Sequence, residues 1–305
     1  MGNIGADMME AGIPMAADGL WTRLRHVGRR TAAVLPMLAW VILLVLIPNL
    51  FLLFYSLWQN NIGTVAHVWN VENYRTLYGS QVFQILIRRT FIIAVVSAGI
   101  ATLVAYPVAY IVVRKFGRFK TTAAILILVP LWFGYLMRVF AWRIILGQQG
   151  VLNSFLNSIG LTHGPSGAFL YNTPSVIMTL TYVIIPYVFL STYAALDRVP
   201  RYLFEASSDS GASAWATFRH VVWPLTRPGV VVGFAIGFAL AFGDYITPAL
   251  VGGLSGTMLG SIVLQAFGTA DDWPLGAAIG MTIIATGLLF LALMALFTRL
   301  EAPIE

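Results

Sequence analysis

The strongest constraint in the sequence is a series of six apolar stretches, each long enough to cross a lipid bilayer as one helix. The hydrocarbon core of a bilayer is about 30 Å thick, and an α-helix crosses it in about 20 apolar residues. Helices are expected because a helix satisfies its own backbone polar groups, as lipid requires. The predicted spans are 31–58, 90–113, 121–146, 175–196, 226–250 and 275–298.

The composition indicates a polytopic membrane protein and excludes several kinds of chemistry. Charged residues make up 10% of the 305 residues, whereas a soluble domain has about 25%. The chain has no cysteine, which excludes disulfides, thiolate metal sites and thiol nucleophiles. The four histidines lie in loops without ligand spacing, so no metal site is predicted. The net charge of +6 comes from basic residues beside spans, so no nucleic-acid partner is predicted.

The distribution of basic residues predicts the orientation of the spans. Thirteen of the eighteen Lys and Arg residues fall on the side that carries both termini, which the positive-inside rule assigns to the cytoplasm. Arg88 and Arg89, at the outer start of the second span, run against this rule. The predicted division is a cytoplasmic tail at 1–30, a six-helix domain at 31–299 containing the cytoplasmic loop 197–227, and a cytoplasmic tail at 300–305.

One polar stretch, 201–224, interrupts the apolar sequence on the cytoplasmic side. It reads RYLFEASSDSGASAWATFRHVVWP. Helical periodicity fits both halves, and Gly211 between them is a natural helix stop, so a helix, a hinge and a second helix are predicted. Such a loop either contacts a soluble partner or is a solvated amphipathic linker between two spans.

The same stretch resembles the cytoplasmic EAA loop of ABC-importer permeases, in which Glu-Ala-Ala, three residues, Gly and nine residues precede Ile-x-Leu-Pro. Both spacings are kept here, while Ser, Val and Trp replace Ala, Ile and Leu at 207, 221 and 223. The replacement by Trp is the one that bears on docking. In that family the loop docks into a groove of an ATPase. The residues that the resemblance assigns to ATPase coupling are Glu205, Ala206, Ser207, Gly211 and Pro224.

The chain contains no nucleotide-binding signature of its own. A search for the phosphate loop GxxxxGK[ST] finds no match, and HExxH and GxSxG are absent as well. A transporter driven by ATP would therefore take its ATPase from another chain.

The third span carries an arginine among aromatic residues. Pro130 loosens the helix near its middle, and Trp132, Tyr135 and Arg138 follow. An arginine within a span normally faces a partner or a wet cavity, although Arg138 could also be an anchor at the outer interface. The segment resembles the Pro-x-Trp…Leu-Val-Arg-x-Tyr-Ala-Trp segment of spermidine/putrescine-type permeases.

The fifth span contains Asp244, the one acidic residue within any predicted span. Gly243 and Pro248 flank it, so a broken or bent helix is expected there. Asp244 could line a solute path, or it could form a structural ion pair with Arg138 or Arg143. The string Gly-Asp-Tyr-Ile-Thr-Pro-x-Leu-x-Gly-Gly again resembles the polyamine-type permeases.

Together the resemblances imply an all-α permease subunit of a type I ABC importer, of the spermidine/putrescine family, in a bacterial inner membrane. Its implied partners are a second permease, usually as a heterodimer, two ATPase subunits that hold ATP and Mg²⁺, a solute-binding protein outside, and membrane lipid. No cofactor is expected in this chain. The expected solute-path residues are Trp132, Tyr135, Arg138, Asp244 and Tyr245.

Three alternatives remain at this point. The same machinery could carry an opine, a chelate or another organic anion instead of a polyamine, because basic residues also lie near the outer face. A secondary transporter would use Asp244 and Arg138 as an ion relay. A membrane scaffold would explain neither the intramembrane charges nor the spaced loop.

Overall fold

The computed structural model describes residues 36–61, 64–161, 164 and 166–300, and for 297–300 it describes the backbone alone. The predicted tail at 1–30 and residues 301–305 lie outside the described residues. The chain divides into two compact units, Met1–Phe54 and Tyr55–Glu305.

The first unit contributes most of helix α1, Pro36–Ser56, which matches the first predicted span. A π-helical turn, Ile42–Leu46, interrupts its regular hydrogen bonding. The side-chain amide of Asn49 donates to the carbonyl of Val45 at 2.8 Å and satisfies one backbone acceptor inside the helix. The part of this predicted span before residue 36 lies outside the described residues.

The second unit is almost entirely helical. Its one sheet among the described residues is a hairpin of β1, Gln59–Asn61, and β2, Thr64–Ala66. Nearly all the remaining regular structure is helix. The helices are α2 Glu72–Gly79, α3 Gln81–Lys115, α4 Lys120–Leu128, α5 Tyr135–Ile145, α6 Val151–Ser158, α7 Thr173–Asp197, α8 Arg201–Asp209, α9 Ala214–Phe242, α10 Leu259–Phe267 and α11 Trp273–Leu300.

Helices α3, α7 and α9 pack against one another and form the core of this unit. Small side chains at the contacts let membrane helices approach closely, because association in lipid depends on packing and not on hydrophobic burial. One face of α3 supplies alanines that are all fully buried. They are Ala94, Ala98, Ala101, Ala105 and Ala109.

Helix α9 presents glycines to α7 at intervals of four residues. A Cβ added at Gly229 would collide with the Cβ of Ala195. A Cβ at Gly233 would lie 3.2 Å from the carbonyl oxygen of Val188. Ser191 strengthens the same contact by donating a hydrogen bond of 2.8 Å to the carbonyl of Gly229. Because Gly229 and Gly233 have no side chains, the backbone of α9 approaches α7 closely at these positions.

Within the described part of the chain, five helices are long and apolar enough to cross a membrane, and a bent pair raises the number to six if it crosses as one broken span. The pair comprises Gly117–Trp132 and Tyr135–Ser158, which meet at 89°. The third predicted span is therefore not one straight helix. The fourth predicted span, 175–196, agrees with α7 to within two residues at each end.

Two other predicted spans differ from the observed helices. Helix α3 begins at Gln81, nine residues before the predicted start of the second span at 90, because the helix continues beyond its uncharged part through Arg88 and Arg89. Helix α9 ends at Phe242 and does not continue to 250. The chain leaves the helix at Gly243, and a new helical turn begins at Ile246.

Candidate translocation site and coupling surface

The break in the third span lies between its two halves, at Phe133 and Gly134. Pro130 occupies the start of a 3-10 turn, Val129–Trp132, where its missing N–H costs little. Phe133 is extended, with φ −81° and ψ 138°, and Gly134 is extended as well. Helix α5 then begins at Tyr135, so the break places this side chain at a helix start.

Asp244 forms the break in the fifth span. Its carboxylate accepts hydrogen bonds from the backbone N–H groups of Ile246 at 3.0 Å and Thr247 at 3.3 Å. These groups begin the short helical segment that continues as the π-helical turn Pro248–Gly252. Asp244 is therefore an N-cap of this segment, and it is 7% exposed. Non-helical backbone at membrane depth is tolerated where it is buried in protein in this way.

The two breaks meet through a pair of hydroxyl groups. The hydroxyl of Tyr135 lies 3.0 Å from that of Thr247, and Thr247 is fully buried. Asp244 and Arg138 both act electrostatically on Tyr135, and the Cζ of Arg138 is 5.7 Å from its ring centroid. We call Tyr135, Arg138, Asp244 and Thr247 the break cluster. The cluster joins the two discontinuous spans, and it contains one carboxylate, that of Asp244, and one guanidinium, that of Arg138.

Arg138 is buried and only partly satisfied. It is 5% exposed and donates from Nη1 to the carbonyl of Val183 at 3.2 Å, near the middle of α7. Its Nε has no hydrogen-bond partner. The ion pair that the sequence left open is not formed, because no Arg–Asp244 pair lies within 4.0 Å among the described residues. Arg143 instead donates to the hydroxyl of Tyr171. This burial argues against a snorkelling role for Arg138, which would leave its head exposed.

The remaining two path candidates do not belong to the break cluster. Trp132 is 80% exposed in this single chain. Tyr245 follows Asp244 but lines an apolar cavity of about 340 Å³ with residues of α10 and α11, including Gly260 and Ile283. A Cβ at Gly260 would collide with the carbonyl of Asp244, so only glycine lets α10 approach the break.

Among the residues described, no group of three acidic or histidine side chains could hold a metal ion.

The candidate for the coupling surface, called the coupling surface below, is the exposed face of α8. Tyr202, Glu205, Ala206 and Asp209 are all exposed on this short helix. Phe204 points the other way and is 9% exposed. The helix therefore offers a mixed aromatic and acidic face to a partner while one aromatic ring attaches it to the rest of the chain.

Phe204 attaches α8 to the C-terminal end of α3. The guanidinium of Arg114 lies over the ring of Phe204, with 3.3 Å between Cζ and the ring centroid. About two turns before Arg114 on α3, the hydroxyl of Tyr106 is 3.0 Å from that of Thr226. The ring of Tyr106 contacts the ring of Phe218 edge-on. Both halves of the loop are thus held by one face of α3. Sequence reasoning missed Arg114, Phe204 and Thr247, because their partners are distant in the chain.

Gly211 and Ser207 shape the turn between the two halves. Gly211 has a φ of +76°, in the left-handed region, and a Cβ there would meet open space. The hydroxyls of Ser207 and Thr217 lie 2.8 Å apart and tie α8 to α9. Pro224 is the second residue after the π-helical turn Phe218–Val222, in the first turn of the regular helix that begins at Trp223.

Comparison with known proteins identifies the family. The model of the "Binding-protein-dependent transport system inner membrane component" family matches residues 125–302, a range that contains the break cluster and the whole coupling surface. This permease chain belongs to that family. It is therefore a multi-pass inner-membrane transport subunit and not itself an enzyme. The family also excludes the secondary transporter and the scaffold as explanations.

Named relatives cover most of the chain. "Spermidine/putrescine transport system permease protein PotB" of Escherichia coli K12 is 27% identical over 89% of this chain and 99% of its own length. "Inner membrane ABC transporter permease protein YdcU" of the same organism is 32% identical over 73% of this chain and 74% of its own.

A solved structure confirms the fold. It is a bacterial alginate ABC transporter in complex with an alginate pentasaccharide-bound periplasmic protein. The TM-score is 0.73, with 16% identity, and the match covers 93% of this chain and 98% of that one. The expected all-α permease fold of an ABC importer is thus confirmed, because similarity of this extent at low identity is similarity of fold.

Proposed function

We propose that this permease forms one half of the translocation path of an ATP-driven importer. Its partners in the proposal are a second permease of similar fold, two ATPase subunits that hold ATP and Mg²⁺, and a solute-binding protein outside the membrane. Family membership supports a binding-protein-dependent system. The absence of a phosphate loop from the sequence supports a separate ATPase.

The ATPase docks, in this proposal, on the exposed face of α8. Glu205 and Ala206 would contact the ATPase, and Gly211, Ser207 and Pro224 would hold the shape of the loop. The contacts of Arg114 with Phe204 support a mechanical connection, because a displaced α8 would carry α3 with it. A rigid-body switch of this kind needs no chemistry in the permease itself.

The proposed cargo is a polyamine of the spermidine or putrescine class. The observation that carries this proposal is the carboxylate of Asp244, buried at the junction of two broken spans beside Tyr135. Each carboxylate oxygen has two lone-pair sites and accepts one backbone N–H here, so each keeps capacity for an ammonium donor. Tyr135, Tyr245 and Trp132 would supply aromatic faces to the cation. The names of the PotB relatives agree with this class.

An organic anion is the second candidate, and it is favoured by Arg138. The Nε of this buried side chain lacks a partner, and an arginine fork matches a carboxylate. The break cluster contains one formal charge of each sign, so the two candidates predict opposite dependence on Asp244 and Arg138.

Uptake by the complete transporter in proteoliposomes tests the proposal. Radiolabelled spermidine is supplied with the solute-binding protein outside and with ATP available to the ATPase. We expect accumulation that requires ATP and that unlabelled putrescine suppresses, while an excess of an organic dicarboxylate does not. Accumulation of the dicarboxylate instead would favour the second candidate. Uptake that proceeds without ATP would contradict the importer mechanism itself.

A further inference from the structure

A second cavity lies between the N-terminal parts of α3 and α7, whereas the coupling surface contacts α3 near its C-terminal end. Its volume is about 370 Å³. Its walls are branched aliphatic side chains and one threonine, with two arginines among them. The lining residues are Ile85, Arg88, Arg89, Ile92, Ile93, Thr173 and Ile177. We call it the arginine–isoleucine cavity.

The arginines bring positive charge that no carboxylate among the described residues pairs with. Arg88 is exposed and makes no hydrogen bond or ion pair with any residue that the structure describes. Arg89 donates one hydrogen bond, of 3.2 Å, to the carbonyl of Leu254, which is a neutral acceptor. No carboxylate lines the cavity. Two guanidinium groups with free donors match a phosphate, which accepts several charge-assisted hydrogen bonds.

The length of α3 gives the depth of this charge in the membrane. The helix has 35 residues and is thus about 52 Å long. About 39 Å of helix separates Arg88 from Arg114 at the coupling end, which exceeds a hydrocarbon thickness of about 30 Å. Arg88 therefore lies at the level of the lipid headgroups on the side opposite the coupling loop.

From that level the exposed aliphatic surface of α3 continues toward the hydrocarbon through Ile92, Val96 and Leu103. Ile85 lies about one turn from Arg88 in the other direction. A soluble acidic partner would leave this branched aliphatic surface against water or polar groups. A phospholipid fits both parts, since its phosphate and its acyl chain are joined in the same order as the arginines and the isoleucines.

We propose that the arginine–isoleucine cavity binds one anionic phospholipid of the leaflet opposite the coupling loop. The phosphate contacts Arg88 and Arg89, and an acyl chain lies against Ile92 and Ile177. This role also accounts for two arginines that run against the positive-inside rule, because they are retained for binding and not for orientation.

Lipid retention by the assembled transporter tests this proposal. Complexes purified in mild detergent are extracted, and phosphatidylglycerol per permease is measured by mass spectrometry. We expect Arg88→Gln with Arg89→Gln to lower it at least fivefold. Arg75→Gln is the matched control, because Arg75 is also basic and exposed but pairs with Glu72 outside the cavity. Its retention should equal that of the unaltered protein.

Two further variants keep the test decisive. If the double variant does not assemble, Arg88→Gln alone serves, since Arg88 has no bond to lose within the described chain. Ile177→Trp should lower retention by filling the aliphatic part without a change in charge. Unchanged retention in the arginine variants overturns the proposal. So does a cross-link that places a second permease or the solute-binding protein in the cavity of the purified complex.

Discussion

At the scale of single residues, Asp244 combines two roles that are usually separate. Its carboxylate closes the first turn of a short helical segment, and it also contributes the acidic charge of the break cluster. An N-cap is a structural role that a neutral side chain can fill, since Asn and Asp cap helices equally well. A charge that recognises a cation has no such substitute. The two roles can therefore be separated by substitution.

Asp244→Asn should keep one of the two capping hydrogen bonds and remove the charge. If the cargo is a polyamine, we expect spermidine uptake to fall at least tenfold while the yield of assembled transporter is unchanged. Asp244→Ala removes the cap as well, at about 1 kcal/mol, so it should also lower the yield. Uptake and the amount of assembled complex are measured for both. Full spermidine uptake by the Asn variant would contradict a role of this charge in transport.

Gly211 gives a prediction that depends on backbone conformation alone. A Cβ at this position meets open space, so only the φ of +76° penalises a side chain. The left-handed region costs a residue other than glycine about 1–2 kcal/mol of conformational free energy, and this cost is smallest for asparagine. We therefore expect Gly211→Val to lower uptake strongly and Gly211→Asn to retain most of it.

The readout for Gly211 is the amount of ATPase that co-purifies with equal amounts of membrane-inserted permease. A loss in the Val variant alone would support a loop shape that the ATPase requires. Equal loss in both variants would show that the backbone conformation is not the cause. Equal retention, with normal uptake, would contradict the docking role.

The sequence identified these two residues because each is conspicuous in its surroundings. Asp244 is the single acid within a predicted span, and Gly211 occupies a fixed place in a spaced loop. Thr247 and Phe204 are common residues in unremarkable positions. Their importance comes from Tyr135 and Arg114, which are distant in the chain, so only the folded structure reveals it.

At the scale of elements, the close contact of α9 with α7 is sensitive to added volume. Gly229→Ala would insert a methyl group against Ala195, in a contact that also involves the bond of Ser191 to the Gly229 carbonyl. Overpacking of this kind costs about 1–3 kcal/mol. We expect a lower thermal midpoint of the purified protein. Gly99→Ala on α3 is the control, because nothing lies within 4 Å of its added Cβ.

Helix boundaries show what an apolar pattern can and cannot predict. The pattern located α7 closely, because the span and the helix end together. It placed the start of α3 too late, because hydropathy falls at Arg88 and Arg89 while the helix continues outside the hydrocarbon. It predicted a loosened helix at Pro130, and the chain leaves the helix three residues later, at Phe133 and Gly134.

At the scale of the whole described second unit, α3 connects the coupling surface to the break cluster. Near one end Arg114 holds Phe204 of α8. Toward the other end the hydroxyl of Thr90 accepts the backbone N–H of Leu259 at 2.9 Å, at the start of α10. The next residue, Gly260, packs against the Asp244 carbonyl. In the proposed mechanism, a displacement of α8 would therefore reach the break through α3 and two contacts, that of Thr90 with Leu259 and that of Gly260 with Asp244.

Transmission from the coupling surface on one side of the membrane to the break cluster requires that the bent pair of helices, Gly117–Trp132 and Tyr135–Ser158, crosses the membrane. If Gly117–Trp132 and Tyr135–Ser158 form a broken span, Ser158 lies on the side opposite residue 117, and Ser208 lies on the same side as residue 117. If the pair is re-entrant, residues 117 and 158 share a side, and the later helices are inverted. The positive-inside rule predicts the first arrangement, with Ser208 and both termini in the cytoplasm.

Cysteine labelling decides between the two arrangements, and the chain offers a clean background because it contains no native cysteine. Ser158 and Ser208 are both exposed, so each accepts a probe without disturbing a core. In spheroplasts, an impermeant maleimide should label Ser158→Cys and spare Ser208→Cys, and permeabilisation should then make both reactive. Labelling of Ser208→Cys from outside, with Ser158→Cys protected, would mean that the pair turns back. The coupling surface would then face away from the ATPase, and the proposed transmission through α3 would be wrong.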